Sequence, residues 1–376
     1  MKKLPILAVV LIDFLVFAIC LLTFSYFHHV RPHVVTEVSE VSVDKPHRFE
    51  ESSEAEESDD SYTSYPGVIE LSGDESDPFA ISEDESDPAE SSVEDSETPS
   101  DETNAESSGP PSPPAYRPSV LEILERTPTA YVYHSDDISV EITELKVATP
   151  YGESICHFAD IHISMAENLR TVLANNQFGT VRESTLSMSN RVGAIVTING
   201  DYYGNSSEAY GAVIRNGVLY NKKPDNTDLM VMYYDGTMKA FSRERFDADT
   251  EMQAGAYQSW DFGPSLLDDG RPYSNVELFG HTNIPGANPR TVIGYFSPGH
   301  YCFLTVNGRK GDGISVGLRM EDLADLMSLL GCKAAYNLDG GGTSVMVFQG
   351  QIVNTPCNGK PRACSDALSI VEFGGN

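Results

Sequence analysis

The stretch whose residues are best suited to chemistry is rich in glycine and lies near the carboxyl end of the chain. It contains, in order, Asn337, Asp339, Gly340, Gly341, Gly342, Thr343 and Ser344. Three consecutive glycines cost folding entropy, which predicts that the backbone must come close to another group there. Their N–H groups and the two hydroxyls can cradle an anionic oxygen beside the Asp339 carboxylate. A tight β-turn with a capping Asp explains the same spacing equally well.

A second stretch has the same design. An apolar segment over residues 193–198 leads into the run Asn199, Gly200, Asp201, Tyr202 and Tyr203. An amide, a carboxylate and aromatic rings at the end of a buried strand suit the face of a sugar and its hydroxyl rim. A structural Asx turn is the competing interpretation, and for this stretch taken alone it is the more common one.

Two arginines and one histidine complete the set of candidates. Arg290 lies at the mouth of an apolar strand, and Arg362 lies close to the carboxyl end of the chain. An arginine at such a position is either a bidentate clamp for a phosphate or an ordinary surface residue. The histidines show no catalytic spacing, and His281 is a candidate only because it is close in sequence to Arg290.

The elements that position these residues belong to a domain that covers residues 119–376. Turn signals typical of hairpins occur at Asn216-Gly217, Asp235-Gly236, Asp269-Gly270 and Asn307-Gly308. Helical periodicity is confined to residues 167–175 and 320–330. Helices interspersed among strands, without the regular alternation of a parallel βαβ protein, predict an α+β fold. We expect one large domain with a mixed or antiparallel sheet and a few packed helices.

The sequence of the first 118 residues predicts two segments that take no part in catalysis. Residues 1–30 contain an apolar run long enough to cross a bilayer as a helix. The run ends in bulky residues, which favours an uncleaved anchor over a cleaved signal peptide. Lys2 and Lys3 predict a cytoplasmic N-terminus and a C-terminal domain on the extracytoplasmic side. Residues 31–118 are rich in Ser, Glu, Asp and Pro, and we expect a disordered acidic linker.

The charge and the cysteine content limit which partners and cofactors the chain can bind. The net charge is −31, and a count over residues 37–106 finds 25 acidic residues against two basic ones. Nucleic acid is excluded as a partner because its phosphates repel both halves of the chain.

No Cys/His set has zinc spacing, and the sequence requires no cofactor. A divalent cation bridging Asp339 and a phosphate is compatible with the sequence, but a recognisable ligand set is lacking. Cys357 and Cys364 are the nearest pair for a disulfide, with buried free thiols as the alternative.

Taken together and in order, these stretches resemble the phosphodiester glycosidase family. The segments that carry the resemblance are 198–203, 261–266, 288–291, 315–318 and 337–344. The similarity covers about residues 150–373, and it departs from the family pattern at Asn307-Gly308 and after Arg362. The resemblance implies a hydrolase that cleaves the glycosidic bond of a sugar-1-phosphodiester in a surface polysaccharide or glycoconjugate.

The chemistry of that bond fits the candidates. The conjugate acid of a phosphate monoester has a pKa of about 6, so the phosphate leaves without much protonation. The site needs a cationic clamp on the phosphate and one carboxylate that activates water or attacks the anomeric carbon. Arg290, with Arg362, fits the clamp. Asp339 or Asp201 fits the carboxylate, and the sequence leaves the choice between them open.

Two other functions stay open at this point. A non-catalytic surface protein that binds glycans or organises the wall needs only the aromatic and amide groups of residues 199–203. A phosphodiesterase that cuts the P–O bond would release a sugar phosphate instead of a free sugar.

Overall fold

The computed structural model describes residues 39–40, 48–49, 120–202, 211–225, 228–273 and 286–372. All of them belong to one of two compact units of the chain. The predicted membrane anchor and His281 lie outside the described residues, as does the predicted linker apart from residues 39–40 and 48–49. Among the described residues, no helix has both the length and the apolar character needed to span a bilayer.

The described residues are mostly sheet. The strands are β1 (Ser39–Glu40), β2 (Glu122–His134), β3 (Ile138–Thr149), β4 (Gly152–Ile163), β5 (Leu169–Leu173), β6 (Val196–Asn199), β7 (Val213–Arg215), β8 (Val218–Asn221), β9 (Asp228–Tyr233), β10 (Met238–Ser242), β11 (Ala256–Trp260), β12 (Leu267–Asp268), β13 (Arg271–Pro272), β14 (Arg290–Ser297), β15 (His300–Val306), β16 (Ala334–Leu338), β17 (Met346–Phe348), β18 (Gln351–Ile352) and β19 (Asp366–Ile370). The helices are α1 (Thr185–Val192), α2 (Ala248–Gln253) and α3 (Met320–Leu329), with 3₁₀ turns at Ala166–Asn168, Ala174–Asn176 and Gly341–Thr343.

Two sheets form the centre of the domain. One has the strand order β16-β14-β15-β4-β3-β2, and the other has the order β18-β17-β6-β19-β5. Alternate residues of β3, such as Val140 and Ile142, pack in one apolar core with Ile198 of β6 and Leu368 of β19. This alternation follows from the two-residue period of a strand, and it lets two sheets bury one face each against the other.

Helices cover the outer faces of both sheets. Leu323 and Leu326 of α3 pack with Val292 and Leu304 on the six-stranded sheet. Burying one leucine in this way stabilises the fold by about 1.5–3 kcal/mol. Met188 of α1 packs on the five-stranded sheet. The described strand pairs are all antiparallel. The predicted α+β class with an antiparallel sheet and a few packed helices is confirmed for the described residues, which are mostly sheet.

The two helical predictions had different outcomes. The helix predicted over residues 320–330 is confirmed as α3, and Gly331 follows it with φ 88°. The helix predicted over residues 167–175 is wrong, because this segment contains β5 between two 3₁₀ turns. The backbone of β5 pairs along its whole length with β19, a partner from the far end of the chain. That tertiary pairing decides between two elements that the same apolar residues would suit.

Three of the four predicted hairpin turns are confirmed, at residues 216–217, 235–236 and 269–270. The fourth, at Asn307-Gly308, is wrong. Here the chain leaves β15 and enters a loop in which Arg309 and Lys310 have positive φ. Gly308 is required for a different reason, since a Cβ there would lie 2.8 Å from the backbone nitrogen of Pro289.

The cysteines of the described residues are all free thiols, and no disulfide joins Cys357 to Cys364. Four of them are buried, namely Cys156, Cys302, Cys332 and Cys364.

Candidate active site

The ends of three strands meet at one edge of the two-sheet core. β14 begins at Arg290 and pairs antiparallel with β16, so Thr291 lies opposite Leu338. Arg290 and Asp339 therefore leave adjacent strands at the same edge of the six-stranded sheet. β6 of the other sheet ends at Asn199, whose Nδ2 donates a hydrogen bond to the carbonyl of Asp339 over 2.6 Å.

A cavity of about 230 Å³ opens at this edge. Its described lining consists of Tyr202, Phe262, Asn288, Pro289, Arg290, Arg309, Asp339, Gly340, Gly341, Gly342 and Arg362. Two aromatic rings thus share one space with three guanidinium groups, and Asp339 is the acidic residue in this lining. Apolar walls with a few polar groups that converge are typical of a small-molecule site.

Asp339 carries a buried carboxylate that faces a cation. The residue is 6 % exposed, and its two carboxylate oxygens accept hydrogen bonds from Nη2 of Arg362 over 3.2 and 3.1 Å. Burial raises the pKa of Asp339 above its ordinary value, and the Arg362 guanidinium offsets part of that rise. Such a carboxylate takes up a proton more readily than an exposed one, which suits a group that accepts a proton from water.

Arg290 is held rigidly beside Asp339. It is 4 % exposed, which excludes the interpretation as an ordinary surface residue. Its Nε donates to the Leu318 carbonyl over 3.0 Å, and its Nη2 donates to the Gly286 carbonyl over 3.1 Å. Burial lowers the pKa of Arg290 to about 10, so the side chain still carries its charge at neutral pH.

Arg309 is a third cation of the cavity that the sequence did not predict. Its Nε and Nη2 both donate to Oδ1 of Asn288, over 3.2 and 2.9 Å. Its Nη2 also lies 3.4 Å from the position that a Cβ on Gly341 would occupy. The one available signal was its place directly after Asn307-Gly308, where the chain departs from the family pattern.

Comparisons with known proteins agree with this arrangement of landmarks. Residues 192–371 match the phosphodiester glycosidase family, and this region includes Asp201, Asp339 and the three arginines of the cavity. This region is therefore similar in sequence to the phosphodiester glycosidase family.

A relative and two solved structures extend the comparison. The chain is 33 % identical over 201 residues to the SPbeta prophage-derived uncharacterized protein YomE of Bacillus subtilis (strain 168). That match covers 52 % of this chain and 31 % of the relative, so the chain spans about a third of that relative's length.

The first solved structure is the zebrafish N-acetylglucosamine-1-phosphodiester alpha-N-acetylglucosaminidase catalytic domain auto-inhibited by pro-peptide. It has a TM-score of 0.54 and 20 % identity, over 66 % of this chain and 88 % of that one. A hypothetical protein from Synechocystis has a TM-score of 0.50 and 14 % identity, over 62 % of each chain. At these identities the likeness concerns the fold.

The glycine run over residues 340–342 is explained by backbone packing. A Cβ on Gly340 would lie 2.7 Å from the Pro289 carbonyl oxygen, and Gly341 has φ 66°. The predicted close approach of the backbone is therefore confirmed. Two groups of the expected anion cradle have partners within the protein, because the Gly341 N–H donates to the Pro289 carbonyl over 2.9 Å and the Thr343 hydroxyl donates to the Gly340 carbonyl over 2.8 Å. The three guanidinium groups are the cationic groups of the described lining.

Two other predicted substrate-binding residues lie behind the cavity wall. Asn199 is fully buried, and its Oδ1 accepts a hydrogen bond from Oγ1 of Thr291 over 2.8 Å. Asn337 is 1 % exposed, and its Nδ2 donates to the Gly263 carbonyl over 2.8 Å. Both amides therefore hold backbone that carries lining residues. Thr343 and Ser344 are buried as well.

Asp201 lies in a buried ionic cluster and not in the described lining. Its Oδ2 accepts a hydrogen bond from Nη2 of Arg215 over 3.0 Å, and Nε of Arg215 donates to Oδ2 of Asp366 over 2.7 Å. Burial raises the pKa of Asp201, Arg215 opposes the rise, and Asp366 adds to it. A Cβ on Gly200 would lie 2.2 Å from Oδ1 of Asp366, so this glycine lets the cluster close. Arg215 and Asp366 were not predicted as partners of Asp201, because neither forms a local motif with it and Asp366 is 165 residues away along the chain.

Proposed function

We propose that this domain hydrolyses the glycosidic bond of a sugar-1-phosphodiester in the cavity described above. The observation that carries the proposal is that one buried carboxylate, Asp339, shares the cavity with Arg290, Arg309 and Arg362. The match of residues 192–371 to the phosphodiester glycosidase family supports the same bond type.

The residues divide into two tasks. The arginines stabilise the negative charge that develops on the departing phosphate, which needs no proton because the pKa of its conjugate acid is about 6. Asp339, in its ionised form, accepts the proton of a water molecule whose oxygen attacks the anomeric carbon. The bond between that carbon and the phosphate oxygen breaks, and its electron pair leaves with the phosphate. A single carboxylate is sufficient for this reaction, and the described lining contains one.

The aromatic residues of the lining explain how a sugar is held. The ring of Phe262 and the ring of Tyr202 stand in the same cavity as the carboxylate. Aromatic faces suit the apolar C–H face of a sugar, and the Tyr202 hydroxyl is a hydrogen-bonding group for its hydroxyl rim. We assign Asp201, which was the other candidate carboxylate, to positioning Tyr202 through the cluster with Arg215.

The location of the activity is also part of the proposal. The apolar run within residues 1–30 and the acidic segment 31–118 support a membrane-anchored protein with an outward-facing domain. A surface polysaccharide or glycoconjugate with sugar-1-phosphodiester linkages is the substrate class that such a domain would meet, and the bilayer is the partner of the anchor.

The test compares the full chain with Asp339→Asn on a panel of sugar-1-phosphodiesters. Free reducing sugar and phosphate monoester are followed over time. Asp136→Asn, at an exposed turn, is the matched control. We expect release of free sugar by the wild type and the control, and its loss in Asp339→Asn.

Two results would overturn the proposal. Release of a sugar phosphate in place of a free sugar would show that the P–O bond is cut. Absence of turnover over the whole panel, with retained glycan binding, would favour the non-catalytic surface protein.

A further inference from the structure

Three metal-ligating side chains lie together on the six-stranded sheet, away from the cavity. Asp160 and His162 belong to β4, and His300 belongs to β15. His162 and His300 are directly opposite each other in the strand register. Asp160 precedes His162 by two residues and therefore points to the same face of the sheet. One ligand atom from each residue can be chosen so that all three lie within 4.8 Å of one another.

The two imidazoles present the same atom to the same carboxylate. Nε2 of His300 lies 2.7 Å from Oδ1 of Asp160, and Nε2 of His162 lies 3.6 Å from Oδ2 of Asp160. The two imidazole rings are stacked, with centroids 4.0 Å apart and an angle of 18° between their planes. Phe296 stacks on the other face of His300 at 4.1 Å, which fixes the orientation of that ring.

We propose that Asp160, His162 and His300 bind a divalent transition metal, with Zn²⁺ as the best match. Two imidazole nitrogens and one carboxylate oxygen form a common three-ligand set for Zn²⁺, and a water molecule takes the fourth position. Imidazole suits Zn²⁺, whereas Mg²⁺ and Ca²⁺ prefer oxygen ligands. The side chains of Asp160, His162 and His300 are 35, 54 and 28 % exposed, so an ion can reach them from solvent.

The site is separate from the proposed chemistry. His300 and Val306 are six positions apart on β15, and Val306 is the residue that lies opposite Arg290. At 3.4 Å per residue this places the metal ligands about 20 Å from the sugar-phosphate cavity. A bound ion would connect the two central strands β4 and β15 and stabilise the sheet. The inference therefore does not depend on the proposed hydrolase activity.

The test is a titration of the full chain with ZnCl₂ alone, followed by calorimetry and by the thermal unfolding midpoint. His162→Gln and His300→Gln each remove one ligand. His134→Gln is the matched control, because His134 is an exposed histidine whose Nε2 pairs with Glu141 at 3.4 Å. Unfolding without metal checks that each variant folds like the wild type.

We expect tight binding of one Zn²⁺ and a higher unfolding midpoint in the wild type and in His134→Gln. Binding should be at least about tenfold weaker in His162→Gln and in His300→Gln, since even the loss of an outer-shell partner costs that much. Equal affinity in all four proteins would overturn the inference, as would the absence of a Zn²⁺ effect on the wild type.

Discussion

Nδ2 of Asn199 donates a hydrogen bond to the carbonyl oxygen of Asp339 over 2.6 Å. The bond joins the end of β6 in one sheet to the residue that follows β16 in the other. Oδ1 of the same amide accepts from the Thr291 hydroxyl and from the Val345 N–H. A single fully buried amide therefore fixes the position of the backbone from which the carboxylate of Asp339 projects into the cavity.

Asn199→Leu should lower kcat about 10²-fold with little change in KM, because a small displacement of Asp339 is enough to disturb the reaction geometry. It should also lower the free energy of unfolding by about 3 kcal/mol, since three buried polar groups lose their partner. Steady-state kinetics and urea unfolding of the full chain measure both effects. Thr291→Val removes one of these hydrogen bonds and should have a smaller effect. Unchanged kcat in Asn199→Leu would contradict a positioning role.

Arg309→Met should lower kcat/KM about 10²-fold, the loss expected when one group that stabilises transition-state charge is removed. Inhibition by the phosphate monoester product should weaken in the same variant, because the arginine is assigned to the phosphate. Arg243→Met is the control, as Arg243 is an exposed arginine that donates to the Asp225 carbonyl. If Arg309→Met shows the kinetics and the product inhibition of the wild type, Arg309 does not bind the phosphate.

Asp339→Asn should unfold at a higher urea concentration than the wild type at pH 7. Burial raises the pKa of Asp339 above the ordinary value of 3.8, so ionisation is less favourable in the folded than in the unfolded chain. The wild type therefore loses stability as the pH rises from 3.8 through the higher pKa of the folded state, and the variant does not. The difference in stability between the variant and the wild type should narrow as the pH falls to 3.8 and below. A gap that is constant with pH, or a less stable variant at pH 7, would contradict the sign of this shift.

Arg215→Met should destabilise the domain by about 3–5 kcal/mol, because it leaves the buried carboxylates of Asp201 and Asp366 without their shared cation. Urea unfolding measures the loss. Adding Asp201→Asn and Asp366→Asn to this variant should restore part of the stability, since the uncompensated charges are then gone. A triple variant less stable than Arg215→Met alone would show that the cluster is held by hydrogen bonds and not by charge.

The sequence predicted local features of the structure. Helix α3 followed from apolar residues at helical spacing and from Gly331 at its end. The turns at Asn216-Gly217 and Asp235-Gly236 followed from the ease with which these residues take positive φ. The close approach at Gly340 was also predicted, although its partner, the Pro289 carbonyl, was not. Each of these features depends on a few neighbouring residues, whose conformational preferences act over short distances along the chain.

Only the tertiary structure decided the features that depend on distant partners. β5 is a strand because β19 pairs with it, although its apolar residues would equally suit a helix. Asp339 lines the cavity and Asp201 does not, because Arg215 and Asp366 enclose Asp201. Arg309 reaches the same cavity through a loop that the sequence predicted as a simple turn. Burial and hydrogen-bond partners are set by the packing of the two sheets, and no short stretch of sequence contains that information.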